Sequence, residues 1–146
     1  MMGVLRGLYP WLLAFRVKTL IAAFVPVLVG TCLSQGLGHQ GPLWISLYCL
    51  LGATCIQIAT NLFNDAIDFK KGADDEKRLG PRRVTQSGLL SEKQVWMMGV
   101  FFIILAMVFG WPLVSRGGWP IVILGLTSLF LAYSYTGGPF PLSLIH

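Results

Sequence analysis

The sequence predicts an all-α, polytopic transmembrane helix bundle with four spans. Three observations carry that prediction. The chain is 55% hydrophobic and 12% charged, with mean hydropathy +0.70, whereas a soluble domain carries about a quarter charged residues. The apolar residues fall in four runs separated by polar segments, on the scale of the roughly twenty residues a membrane helix needs. Trp11, Trp44, Trp96, Trp111 and Trp119 all stand at ends of these runs, where amphipathic rings settle at the headgroup level.

Residues 1–18 mix Arg6, Arg16 and Lys18 with Trp11 and several leucines. They read as an amphipathic lead-in lying at the membrane surface. Arg16 and Lys18 interrupt the apolar region that a cleaved signal peptide would need. The first span is read as residues 11–33, with Pro26 inside it and Arg16 and Lys18 snorkelling or facing an internal cavity. Residues 34–42, SQGLGHQGP, form a polar turn, and His39 there is given no role. The second span covers residues 43–68, the third 93–114 and the fourth 119–136, with a polar loop at 69–92 and a tight turn after Val114. Cys32, Cys49 and Cys55 sit in or near apolar runs without metal-ligand spacing and imply no disulfide.

Ten of the eleven Lys and Arg residues fall on one side of this layout, and only Arg116 on the other. Positive residues stay cytoplasmic. Both termini and the polar loop are therefore expected on the cytoplasmic face of a bacterial inner membrane. The net charge of +5 serves topology and contact with membrane lipid, and no nucleic-acid partner is implied.

Residues 57–91 concentrate the chemistry. Five of the six acidic residues lie there, and Glu92 is the sixth. Asn61, Asn64, Asp65 and Asp68 are spaced i, i+3, i+4 and i+7, so a continuing helix projects them from one face. Asn64 and Asp68 are i, i+4 neighbours, close enough to share one ion. Two nearby carboxylates repel unless a cation or proton sits between them. An all-oxygen donor set suits Mg²⁺, which takes one or two carboxylates together with substrate phosphates. The alternative is a solvated helix end. Downstream, Asp74 and Asp75 precede Lys77, Arg78, Arg82 and Arg83. Acids that hold Mg²⁺ beside bases that hold phosphate oxygens make a diphosphate site. Opening into an apolar bundle, such a site fits a diphosphate head on a long hydrocarbon tail. The alternative for the bases is plain topology or contact with anionic lipid.

These residues carry a family resemblance. Asn64-Asp65-x-x-Asp68, then Gly72-Ala73-Asp74, Arg78-Leu79-Gly80-Pro81 and Gln86-Ser87-Gly88, resemble the first aspartate-rich motif of the UbiA superfamily of intramembrane aromatic prenyltransferases. Residues 16–20 and 25–31, and the end of the fourth run at Tyr133-Ser134-Tyr135-Thr136-Gly137-Gly138-Pro139, are similar to the branch that prenylates 1,4-dihydroxy-2-naphthoate in menaquinone synthesis. Arg16 is followed by Val17, where the family commonly has proline.

The resemblance implies Mg²⁺-dependent transfer of a polyprenyl group from polyprenyl diphosphate to 1,4-dihydroxy-2-naphthoate. By the motif, Asn64, Asp65 and Asp68 are the expected metal ligands. Asp65, Asp68 and Tyr135 are the candidate catalytic residues. Asn61, Arg16, Lys18, Arg78, Arg83 and Gln86 are the candidate substrate-binding residues. Asp65 has a second possible role, holding a loop base such as Arg78. The family has a nine-helix fold with a second aspartate-rich motif. The chain therefore resembles its N-terminal half, expected to be incomplete for catalysis alone and to need a separate C-terminal half. The alternatives are an inactive membrane fragment or a four-helix scaffold subunit.

Overall fold

A computed structural model of the chain describes residues 2–39, 41–70 and 84–136. Among them the regular structure is helical throughout. α1 spans Met2–Phe15, a 3₁₀ turn Val17–Leu20, α2 Ile21–Gly36, α3 Leu43–Lys70, α4 Glu92–Gly117 and α5 Trp119–Thr136.

Three stretches are long and apolar enough to cross a membrane: Val17–Gly36, Leu43–Lys70 and Glu92–Gly117. At 1.5 Å per residue, the 28 residues of α3 reach about 42 Å, past both edges of a hydrocarbon core about 30 Å thick. The fourth expected span is shorter within the described residues. α5 has 18 residues and reaches about 27 Å.

The expected first span, 11–33, is not one helix. α1 ends at Phe15, and Arg16 adopts a left-handed conformation with φ 49° and ψ 58°. It is the only non-glycine residue with positive φ among those described. Pro26, of a residue type that interrupts many helices, sits inside an unbroken α2. The break comes instead from tertiary hydrogen bonds to Phe15 and Thr19, described below.

Sequence chemistry sets the other ends. α2 stops at a turn in which Gly38 takes φ 80° and His39 N–H donates to Ser34 O at 3.0 Å. A positive φ there is what glycine tolerates without a Cβ clash. α4 begins with a capping box: Gln94 N–H donates to Ser91 Oγ, and Ser91 N–H donates to Gln94 Oε1. It ends at Gly118, with φ 66°.

α3 is the central element, in contact with α1, the 3₁₀ turn, α2, α4 and α5. It lies antiparallel to α4. Near its start, Trp44 receives Arg116 of α4 at 5.7 Å from the ring centroid, and Tyr48 meets Phe109 at 6.2 Å. Toward its end, Phe63 stacks obliquely on Trp96 at 4.9 Å. Gly99 permits this approach, because a Cβ there would lie 2.6 Å from Phe63 Cε1. The Thr31 and Ser46 hydroxyls join α2 to α3 at 2.8 Å.

Burial is uneven along α3. Its first half buries only Gly52 and Cys55, whereas residues from Ile58 onward are buried on several sides. The apolar core collects there: Ala14 of α1, Ile58, Leu62 and Ala66 of α3, Val84 and Leu90 of the returning chain, and Val95 of α4. Trp11, Phe15, Leu20, Met98 and Phe102 pack against it. The remaining apolar surfaces, such as Ile123, Leu126 and Phe130 of α5, are exposed, as a membrane solvent allows.

Candidate functional site

The polar stripe lies inside this well-packed end. Asn61, Asn64, Asp65 and Asp68 are 4%, 9%, 3% and 3% exposed. A solvated helix end would leave them open to solvent. The same helical turns carry two ridges, Ile58-Leu62-Ala66 toward the core and the amide-carboxylate set beside it. The 3.6-residue period keeps the two apart.

Asp65 organises the return of the chain. Its Oδ2 accepts the Val84 N–H at 3.2 Å. Val84 O then closes a tight turn, accepting the N–H of Leu89 at 3.0 Å and the Ser87 hydroxyl at 3.1 Å. Gly88 supplies a positive φ of 68° in that turn. Asp65 thus holds a loop backbone group. The contact proposed with Arg78 lies outside the described residues.

Asn61 organises the other side. Its Nδ2 donates to Phe15 O at 2.9 Å and to Thr19 Oγ1 at 2.8 Å. Thr19 Oγ1 in turn donates to Arg16 O at 2.9 Å. These bonds bring the left-handed Arg16 and the 3₁₀ turn against α3. Arg16 is half-buried, and Lys18 is exposed on the same turn. Left-handed backbone costs a non-glycine residue roughly 1–2 kcal/mol. Two hydrogen bonds of about 1 kcal/mol each offset a cost of that size.

The structure therefore gathers Asn61, Asn64, Asp65 and Asp68 on one buried helix end, with Arg16 and Lys18 on the turn fastened to it. Gln86 lies exposed in the turn that begins at Val84. Arg16, Asn64, Asp68 and Gln86 are all engaged in interactions. Arg78 and Arg83 lie outside the described residues, as does the side chain of Tyr135 in the last turn of α5. Two contributors escaped the sequence reading. Thr19 is one: residues 16–20 carry the family resemblance, but nothing there singles out its hydroxyl. The other is Thr85, 5% exposed and adjacent to the Val84 tether. Its place between the charged loop and the third span was the only available signal.

The donor set has the chemistry a hard divalent cation requires. Asp65 Oδ1 and Thr85 Oγ1 are buried without a hydrogen-bond partner among the described residues. A buried carboxylate oxygen left so is costly unless a cation or donor meets it. No group of three or more His, Cys, Asp or Glu side chains able to hold a metal occurs among the described residues. Two carboxylates and an amide are nevertheless what Mg²⁺ uses when substrate phosphates and water complete its shell. The donor chemistry of Asn64, Asp65 and Asp68 is compatible with such an ion.

The chain is 35% identical over 137 residues to the 1,4-dihydroxy-2-naphthoate octaprenyltransferase of Escherichia coli, covering 90% of this chain and 44% of that protein. It is 34% identical over 128 residues to the enzyme of the same name from Bacillus subtilis, covering 88% and 41%. A 2-carboxy-1,4-naphthoquinone phytyltransferase from Synechocystis is 32% identical over 134 residues, covering 90% and 42%. The chain thus spans less than half the length of these relatives. No solved structure matches it significantly. Residues 23–144, from early α2 past the end of α5, match the UbiA prenyltransferase family. With that match over most of the chain, and a buried amide-carboxylate stripe in a helical membrane fold, the protein belongs to the UbiA prenyltransferase family.

Proposed function

We propose that this chain forms the donor-binding part of a membrane enzyme that transfers a polyprenyl group from polyprenyl diphosphate to 1,4-dihydroxy-2-naphthoate, in menaquinone biosynthesis. One observation carries the reading. Asp65 keeps a buried carboxylate oxygen that has no hydrogen-bond partner among the described residues, within the Asn64-Asp65-Asp68 set, in a chain similar to naphthoate prenyltransferases.

In this reading Asn64, Asp65 and Asp68 hold Mg²⁺, which when bound neutralises the charge that develops on a departing diphosphate. Arg16 and Lys18 approach the diphosphate from the 3₁₀ turn, and Arg78, Arg83 and Gln86 from the loop that Asp65 tethers. The bond between the allylic carbon and its diphosphate oxygen breaks, and the electron pair leaves with the diphosphate. The electron-rich acceptor ring forms the new carbon–carbon bond and loses its carboxylate as CO₂. Aromatic side chains favour an allylic cation through their π faces. Phe15 stands nearby, its carbonyl held by Asn61 and its ring 5.3 Å from that of Phe102. Tyr135 is the further candidate to line the cation path or the acceptor.

The described donors come from one helix, and the second aspartate-rich motif that the family resemblance implies is proposed to come from a C-terminal half. The cation layout supports a cytoplasmic position for both termini and the motif loop, in a bacterial inner membrane. The test is an assay in membranes with labelled farnesyl diphosphate and 1,4-dihydroxy-2-naphthoate. It runs with and without Mg²⁺, and with and without a co-expressed C-terminal half from a relative. Prenylated naphthoquinol should form only with Mg²⁺ and disappear in Asp68→Ala. Absence of product from every arm would overturn the reading.

A further inference from the structure

We propose that Asn61 and Thr19 are positioning residues that set the Arg16 turn against the metal-binding end of α3, and thereby govern how tightly a prenyl diphosphate is held. This rests on the functional reading above for its ligand, and on hydrogen-bond geometry for its structural part.

In an uninterrupted helix, Thr19 N–H would donate to Phe15 O. Here it donates to Arg16 O at 2.7 Å instead. Phe15 O is left without its helical donor, and the Asn61 amide takes the vacant position at 2.9 Å. The same nitrogen's second hydrogen goes to Thr19 Oγ1 at 2.8 Å, and that hydroxyl's own proton goes to Arg16 O at 2.9 Å. One side chain of α3 therefore meets the acceptors that the chain break releases. Asn61 is 4% exposed, so water does not substitute for it readily. Both amide hydrogens are committed to the turn, which leaves only Oδ1 to face a ligand.

The placement ties charge to charge. Asn61 stands one helical turn before Asn64 and Asp65. Arg16 and Lys18 belong to the segment it fastens. The turn carrying Arg16 and Lys18 is hydrogen-bonded through the Asn61 amide to the helix carrying the two carboxylates, beside the packing of Phe15 and Leu20 against the core. Loss of that amide frees the strained Arg16 to return to helical backbone, which rotates the cation away from its present direction. Asn61 acts through Arg16 and makes no contact with the reacting atoms.

The test uses the full chain in lipid nanodiscs and has two arms. The first measures binding of farnesyl diphosphate with Mg²⁺ to Asn61→Leu, Thr19→Val, Thr19→Ser, Arg16→Ala and the Asn61→Leu/Arg16→Ala double variant. Asn61→Leu and Thr19→Val should weaken binding about tenfold or more, as loss of a supporting hydrogen bond typically does. Thr19→Ser should retain it, and Asn61→Leu should add little once Arg16 is gone. The second arm places spin labels at Val17 and Phe69, both exposed, with Cys32, Cys49 and Cys55 replaced by Ala. Their distance distribution should be narrow in the parent and in Thr19→Ser, and broad in Asn61→Leu. An unchanged distribution in Asn61→Leu, or additive losses with Arg16→Ala, would overturn the proposal. If the parent itself fails to bind farnesyl diphosphate, the functional reading fails, and the distance arm alone decides the clamp.

Discussion

Asp65 and Val84 are 19 residues apart in sequence, yet the Val84 N–H donates to Asp65 Oδ2 at 3.2 Å inside the protein. One carboxylate thus serves two purposes. One oxygen anchors the chain at Val84, and the other is buried without a hydrogen-bond partner among the described residues. The two purposes separate by substitution. Asp65→Asn keeps an acceptor for Val84 and removes the charge. It should leave stability in micelles nearly unchanged while abolishing divalent-ion binding. Asp65→Ala leaves the Val84 N–H unsatisfied and should cost about 1–3 kcal/mol in addition. Denaturant titration alongside Mn²⁺ titration distinguishes them. Equal destabilisation by both variants would contradict the division of labour.

The start of α4 depends on Ser91. Its hydroxyl accepts the Gln94 N–H at 3.3 Å, and Gln94 returns the bond to Ser91 N–H at 2.9 Å. Ser91→Ala should lower stability by about 1 kcal/mol. The protection of the first-turn amides of α4 against hydrogen exchange should fall with it. Since Leu90 and Val95 on either side belong to the core, fraying there should also loosen the Val84 turn.

Gly99 sets how closely α4 approaches α3. A Cβ at that position meets the end of the Phe63 ring at 2.6 Å. Gly99→Ala should cost about 1 kcal/mol, the low end of overpacking, because a ring edge can swing aside. Gly99→Val should cost more. In both, the Phe63–Trp96 pair at 4.9 Å should open, read as a change in Trp96 emission in a background lacking the other tryptophans.

Thr31 and Ser46 fasten α2 to α3 away from the stripe, at 2.8 Å. Hydrogen bonds between membrane helices average about 0.6 kcal/mol. Thr31→Val should therefore cost about that much in micelle denaturation and leave diphosphate binding untouched. A loss of binding in this variant would mean that the two ends of α3 are coupled more tightly than their packing implies.

The sequence disclosed the polar stripe of α3 better than the path of the chain around it. Asn61, Asn64, Asp65 and Asp68 were legible because helical spacing alone places them together, and their burial agrees with that grouping. The capping box was not read, although Ser91 and Gln94 have the required spacing. The break at Arg16 was invisible for a physical reason. Neither glycine nor proline stands at 16, and the bond that supports the break comes from Asn61, 46 residues away from Phe15. Pro26, the conspicuous helix breaker of this run, is absorbed by α2. The Asp65–Val84 tether was equally hidden, since a backbone N–H donor carries no side-chain signature.

The central claim is that the C-terminal end of α3 grips a divalent ion together with a diphosphate. It is tested most directly by electron paramagnetic resonance of Mn²⁺ titrated into the purified chain in nanodiscs with farnesyl diphosphate present. The account predicts that the wild-type chain retains Mn²⁺ only when the diphosphate is added, and that Asp68→Ala and Asn64→Leu each weaken retention about tenfold or more. Retention that is the same in wild type and in both variants would contradict it.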